Sequence, residues 1–348
     1  NYQFLKIQIM QLILRGLKKL ISPLFFLLLL GCLSNENRQY TLTGFALGTP
    51  FKIIYFSSSE NQSIEKSMDS IFNEINQSMS TYIPSSDISK INDGNTSIIV
   101  DDHFVKVFKK SKEIWKISEG FFDPTAGIIT KANGLGPKDN SISNNDIKSL
   151  LNLTGFKKVQ IKNRQIIKEN KNIFLDFNAI AKGYCVDVIG QFFKNKKINN
   201  FLIEIGGEMV AKGKNLTSNS PWKVAIIDPI NPDSKDFFKK ILLVDRAMAS
   251  SGNYRKYKID EKSGNKIVHT VNPKNGQSIE TNIAGVTVLA EDCMSADALA
   301  TAFMVMPIKK SLEIISKNKE IDALIIYFDK NRKLQTFSSA GFDMVSSN

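Results

Sequence analysis

Phe201-Leu202-Ile203-Glu204-Ile205, Lys223-Val224-Ala225-Ile226-Ile227 and Ile241-Leu242-Leu243-Val244 follow one another with no helical period between them. Each is a short apolar-rich run, the signature of a strand. Strands in direct succession point away from a doubly wound sheet, in which strand and helix alternate. Further strand-like runs at 173–177, 285–290 and 323–328 surround only two helical segments, 181–194 and 296–306. The expectation is an α+β fold, with mixed or antiparallel sheets, packed helices and two closely associated subdomains.

Working outward toward the N-terminus, residues 41–56 alternate apolar and polar around Gly44 and Gly48, which reads as a first strand and a candidate site wall. Ile64, Met68, Ile71, Phe72, Ile75 and Met79 recur at helical spacing, as do Phe104, Val107, Phe108, Ser111, Ile114 and Trp115. Both stripes read as core faces rather than cofactor-binding ones.

Composition narrows the function classes. The 348 residues include 42% hydrophobic side chains, an ordinary globular content, so fibrous and disordered readings fall away. The chain has 2 His and 3 Cys, too few for a three-histidine zinc centre or a zinc finger, and imidazole chemistry is left to His103 or His269. Cys185 and Cys293 read as small buried apolar residues. The net charge is +12, but residues 1–31 hold Lys6, Arg15, Lys18 and Lys19 and no acid. The other cations are scattered rather than clustered, and no nucleic-acid partner is expected.

Arg15, Lys18 and Lys19 precede the apolar run 21–30, the layout of an export signal. A run of that length is too short to cross about 30 Å of hydrocarbon unaided. Leu29-Leu30-Gly31-Cys32 resembles a bacterial lipobox, which makes 1–31 a lipoprotein signal peptide and Cys32 the lipid-modified residue. Residues 32–40 then read as a polar tether and 41–348 as the folded domain, a lipoprotein of the cell envelope facing the periplasm.

Several stretches could carry chemistry. Ser295 is placed to cap a helix on which Asp297 and Thr301, at i and i+4, share a face. A carboxylate and a hydroxyl so placed suit Mg²⁺, although an Asp near a helix start is commonly only a cap or dipole partner. Leu175-Asp176-Phe177-Asn178-Ala179-Ile180-Ala181-Lys182-Gly183 passes from strand to helix, and N–H groups exposed at that start suit an anion; an ordinary turn with a solvated lysine fits as well. Gly206-Gly207-Glu208 fits either a close phosphate approach or a plain hairpin turn. Residues 249–255 read as a small-residue loop with hydroxyls and Arg255. His269 leads into a Pro/Gly turn, and its ordinary pKa suits proton transfer. His103 reads as a hydrogen-bonding surface residue at a helix start.

Together, in order, these stretches resemble the ApbE-like family of FAD:protein FMN transferases. The matching blocks are Leu47-Gly48-Thr49; Met79-Ser80-Thr81-Tyr82 with Ile91-Asn92; Gly120-Phe121-Phe122-Asp123-Pro124-Thr125; residues 176–187; Gly206-Gly207; residues 250–255; residues 269–276; and Val286-Thr287-Val288 followed by Asp297 and Thr301. The resemblance implies a T-fold-like architecture and Mg²⁺-dependent transfer of FMN from FAD to a Ser or Thr hydroxyl of an acceptor protein, with release of AMP. It places Asp297, Thr301 and the Ala179 carbonyl on Mg²⁺. It places Leu47, Tyr82, Phe121, Phe122, Asp123, Asp176, Lys182 and Val271 around FAD. His269 is expected to assist proton transfer, and the acceptor is expected to be a flavoprotein of the membrane or periplasm. Leu47 stands where the family often has Met, Asn272 where it often has an acid, Glu208 where Asp is common and Cys185 where Ala is. The competing readings are an FAD pyrophosphatase, a flavin-storing lipoprotein and a basic surface-binding protein.

Overall fold

The computed structural model describes residues 2–12, 37–59, 63–136, 147–234, 236–254, 257–259, 266–278 and 281–347. The described residues up to Arg38, with 57–59, form one compact unit, and the described residues of 39–56 and from 63 onward another. In the first, residues 2–12 are helical with exposed side chains. The expected signal run 21–30 and Cys32 lie outside the described residues. Among the described residues no helix is long and apolar enough to cross a membrane.

The second unit takes in all but the outermost residue of β1 (Arg38–Ala46) and of β2 (Thr49–Ser57), so the single strand expected over 41–56 is two. The chain reverses at Leu47 and Gly48, with φ of 51° and 75°. Two consecutive left-handed residues are what a two-residue hairpin turn needs, and the alternation running through both arms hides the break. Helices α1 (Ser63–Met79), α2 (Asp87–Asn92), α3 (Asp102–Ile117), α4 (Gly127–Ala132) and α5 (Ile147–Asn152) follow, then the hairpin β3 (Val159–Lys162) and β4 (Gln165–Lys168). After α6 (Ala181–Asn195) come β5 (Phe201–Ile205), β6 (Glu208–Lys212), β7 (Trp222–Ile227), β8 (Phe237–Leu243), β9 (Ala247–Gly252), β10 (Tyr257–Ile259), β11 (Lys266–Val268) and β12 (Ile283–Ala290). The chain ends in α7 (Cys293–Val305), α8 (Ile308–Lys317), β13 (Asp322–Phe328), β14 (Leu334–Ser338), α9 (Ala340–Met344) and β15 (Ser346–Ser347).

The main sheet runs β1-β2-β5-β6-β9-β12-β13-β14, with antiparallel neighbours from β2 onward. Strand periodicity divides its side chains between two cores. Ile53, Ile203, Ala249, Val288 and Ile325 face the helices, while Phe56, Met209, Met248, Leu289 and Leu324 face the small sheet β15-β8-β7. The strands β12 and β13, covered on both sides, are nearly continuously buried, as expected of a sandwiched strand. The two expected subdomains are thus two layers on opposite faces of one sheet, within one compact unit.

Two further expectations are corrected. Residues 173–177 bury Ile173, Leu175 and Phe177 and expose the side chains between them more, as a strand would, yet pair with no strand among the described residues. The Asn92 side chain binds both the N–H and the C=O of Leu175, each at 2.8 Å, and Asp176 N–H donates to Pro124 O at 2.8 Å. These partners satisfy the backbone that a ladder would otherwise take. Residues 249–252, expected in a loop, belong to β9, because Ser250 and Ser251 pair with Thr287 and Val286; Arg255 lies outside the described residues.

Candidate functional site

The start of α6 is built from the segment just described. Asp176 Oδ1 accepts the Asn178 N–H at 2.7 Å, turning the chain toward Ala179. A Cβ on Gly127 would lie 2.4 Å from Asp176 Cβ, so only glycine lets α4 approach this turn. The N-cap is Ile180, with no side-chain cap. The N–H groups here are not all turned to the cavity: Ala181 N–H donates to Phe177 O at 2.8 Å and Gly183 N–H to Asp297 Oδ2 at 3.1 Å. This narrows the anion-binding expectation for the first turn.

Helix α7 begins differently. Its N-cap is Asp292, not Ser295, which lies inside the first turn: Asp292 Oδ1 accepts the Ser295 N–H at 2.6 Å and Oδ2 its hydroxyl at 2.9 Å. Asp187, from α6, accepts Cys293 N–H at 2.8 Å and Met294 N–H at 2.9 Å. Burial pushes the Asp187 carboxyl up to about 7; those two N–H groups and Lys110 pull it down, and the Asp292 charge raises it. Gly183 sits at the crossing, where a Cβ would lie 2.4 Å from Cys293 O and 2.9 Å from Asp297 Cβ. Cys185 and Cys293 are fully buried free thiols, both pushed up by burial.

On the opposite side, Asp123 holds the Gly120–Thr125 loop. Its Oδ1 accepts from Thr125 N–H (2.8 Å) and Oγ1 (2.5 Å), and its Oδ2 from Trp115 Nε1 (3.1 Å) and Phe156 N–H (2.9 Å). Burial raises the Asp123 carboxyl while these donors lower it. Four protein donors occupy the carboxylate, so its contribution to the wall is to fix Phe121 and Phe122. Trp115, expected as part of a core stripe, is only partly buried and serves here as a donor.

The Gly206–Gly207 turn joins β5 to β6 with φ of 62° and 96°, and a Cβ on Gly206 would lie 2.7 Å from Thr49 Oγ1. It delivers the buried Glu208, whose Oε2 lies 2.5 Å from Lys182 Nζ. Ser250 and Thr287 hydroxyls meet at 2.9 Å across β9 and β12. Asn272 N–H donates to Gln277 O and Gly276 N–H to Asn272 O, both at 2.8 Å, closing the turn after His269 and Val271.

These pieces enclose a cavity of about 810 Å³. Leu47, Tyr82, Phe121, Phe122, Asp123, Asp176, Ala179, Lys182, His269, Val271, Asp297 and Thr301 all lie on its wall. Tyr82 is 54% exposed, whereas Asp297 is 4% exposed. Ile75 and Met79 of α1 also line it, so a stripe expected to be core alone doubles as a ligand wall. His103 lies elsewhere, in α3, with Nδ1 2.8 Å from the Tyr184 hydroxyl and Nε2 3.5 Å from Glu74. Among the described residues no three His, Cys, Asp or Glu side chains gather as a metal cage. Asp297 and Thr301 instead offer hard oxygens on one helical face, the few-ligand style in which Mg²⁺ keeps water and substrate phosphate. The sequence reading missed Asp187, whose partners lie 106 and 107 residues away and leave no local pattern.

A model of the ApbE family matches residues 47–325. The FAD:protein FMN transferase of Haemophilus influenzae is 31% identical over 343 residues, spanning 94% of this chain and 98% of the relative. That of Vibrio cholerae is 30% identical over 328 residues, spanning 92% and 97%. The solved structure of the flavin transferase ApbE from Vibrio cholerae matches with a TM-score of 0.78 at 28% identity, covering 89% of this chain and 99% of that one.

Proposed function

The chain belongs to the ApbE family, and on that premise we propose that it transfers FMN from FAD to a Ser or Thr hydroxyl of an acceptor protein, releasing AMP. The observation that carries this reading is one cavity: residues from Leu47 to Thr301, far apart in sequence, line it together, with apolar and aromatic side chains beside hydroxyl, amide and charged groups. Its volume is at the upper end of the range for small-molecule sites, as a dinucleotide substrate requires.

Leu47, Tyr82, Phe121, Phe122 and Val271 supply apolar surface for the flavin rings, and Asp176 a polar fixing for the sugar chain. Asp123 acts through the loop it holds. Lys182, kept in place by Glu208, directs positive charge at the phosphates. Asp297, Thr301 and the Ala179 carbonyl would hold Mg²⁺. When bound, the ion neutralises charge developing on the pyrophosphate. The acceptor oxygen bonds to the FMN phosphorus as the bond to AMP breaks, and His269 takes the hydroxyl proton. The Leu29-Leu30-Gly31-Cys32 sequence supports a lipid anchor on Cys32 and an acceptor of the membrane or periplasm.

The test incubates the full chain with FAD and Mg²⁺, with and without bacterial membrane extract, and follows AMP, FMN and flavin fluorescence on denatured protein bands. AMP together with a fluorescent acceptor band is the expected result. Free FMN and AMP without a labelled band would instead establish hydrolysis. His269→Ala should lower turnover by about 100-fold or more while leaving FAD affinity nearly unchanged.

A further inference from the structure

The starts of α6 and α7 are joined in a closed ring. Gly183 N–H, in the first turn of α6, donates to Asp297 on α7; Cys293 N–H, at the start of α7, donates to Asp187 on α6. Gly183 and Asp187 are one helical turn apart, and so are Cys293 and Asp297. Each helix therefore gives a carboxylate to the other's N-terminus, with a single helical turn between the two links on each helix.

We propose that Asp187, outside the cavity wall, is a positioning residue for cation binding: its hold on Cys293 and Met294 sets where Asp297 and Thr301 stand. The inference rests on the reading of Asp297 and Thr301 as metal ligands. Asp292 caps α7 by accepting from Ser295, and Asp187 takes two other N–H groups of the same first turn, those of Cys293 and Met294, from a different helix. A second carboxylate brought close to the first is disfavoured by repulsion and burial, both of which act on Asp187. What it adds is a tie between two helices. Gly183 fits the same account, since the absence of a Cβ lets the backbones approach closely enough for the ring to close.

The experiment titrates Mn²⁺ into the full chain with FAD present, following free Mn²⁺ by electron paramagnetic resonance, and separately measures metal-free FAD affinity by flavin fluorescence. Asp187→Ala should weaken Mn²⁺ binding about 10- to 100-fold, the effect typical of groups that orient metal ligands, with FAD affinity kept within about twofold. Asp187→Asn keeps one acceptor oxygen and should fall between the two, with melting midpoints confirming that each variant is folded. Unchanged Mn²⁺ affinity in either folded variant overturns the proposal, as does an equal fall in Mn²⁺ and FAD affinity, which would mean general loosening. If Asp187→Ala does not fold, Asp187→Asn decides by the same split. A wild-type chain that binds FAD but not Mn²⁺ would overturn the metal reading itself, and the proposal with it.

Discussion

Helices α6 and α7 start side by side and are finished in opposite ways. The start of α7 has two carboxylates, Asp292 from its own chain end and Asp187 from its neighbour, accepting three backbone N–H groups and one hydroxyl. The start of α6 has no side-chain cap, and the carboxylate it does meet, Asp297, is a group that we assign to the metal. The positive end of the α7 dipole is met by two carboxylates away from the cavity wall, while that of α6 meets one, Asp297, which lies on the cavity wall together with Lys182. One helix start is held outside the cavity wall, and the other forms part of that wall.

The largest effect should come from cutting the link between them. On the proposed reading, Asp297→Ala removes both an oxygen assigned to Mg²⁺ and the Gly183 acceptor, and flavin transfer should fall by at least about 100-fold, a loss of about 3 kcal/mol or more at the transition state. An enzyme that kept its rate would show that the start of α6 works without its neighbour.

The next test is pH. Because burial lifts Asp187 to about 7, against Lys110 and with Asp292, the folded chain holds a proton that the unfolded chain releases above its ordinary value of 3.8. Folded protein then binds more protons between those values, so this contribution to stability is complete at the acid end of the window and is lost as pH rises through 7. Melting curves should show the decline, and Asp187→Asn should flatten it.

Packing at the crossing sharpens the comparison further. Gly183→Ala places a Cβ 2.4 Å from Cys293 O and should cost roughly 1–3 kcal/mol, read as a lower urea midpoint. Gly190, in the same helix, has no neighbour closer than 3.5 Å, so Gly190→Ala should stabilise by about 0.5–1 kcal/mol through helix propensity. Equal effects at the two positions would remove the case for a forced approach. Smallest in its effect on activity, Asp292→Ala should cost about 1 kcal/mol of stability, with turnover kept because Asp187 still holds α7.

How much of this was legible depended on the reach of each interaction. The expected strand 201–205 is β5 with the same limits, and 323–328 differs from β13 by one residue, because period-2 burial is written locally. Residues 173–177 carry the same period and form no strand, since their partner is the side chain of Asn92, 83 residues away from Leu175. The start of α7 was read three residues late: most of its sides are buried, leaving little amphipathic contrast, and Ser295 looked like the cap that Asp292 provides. Within the site, single residues such as Asp297 and Lys182 were ambiguous, and their grouping came from the order of eight blocks across the chain. Asp187 lay inside one of those blocks without a visible purpose, because a tie between helices has no spacing of its own in the sequence.

The cavity wall begins at Leu47 and is completed by Thr301. A chain made from its N-terminus forward therefore has no flavin pocket until almost all of it exists, and a product cut short before α7 lacks one side of the enclosure. A ligand of this cavity accordingly adds its binding free energy only to molecules finished to that point.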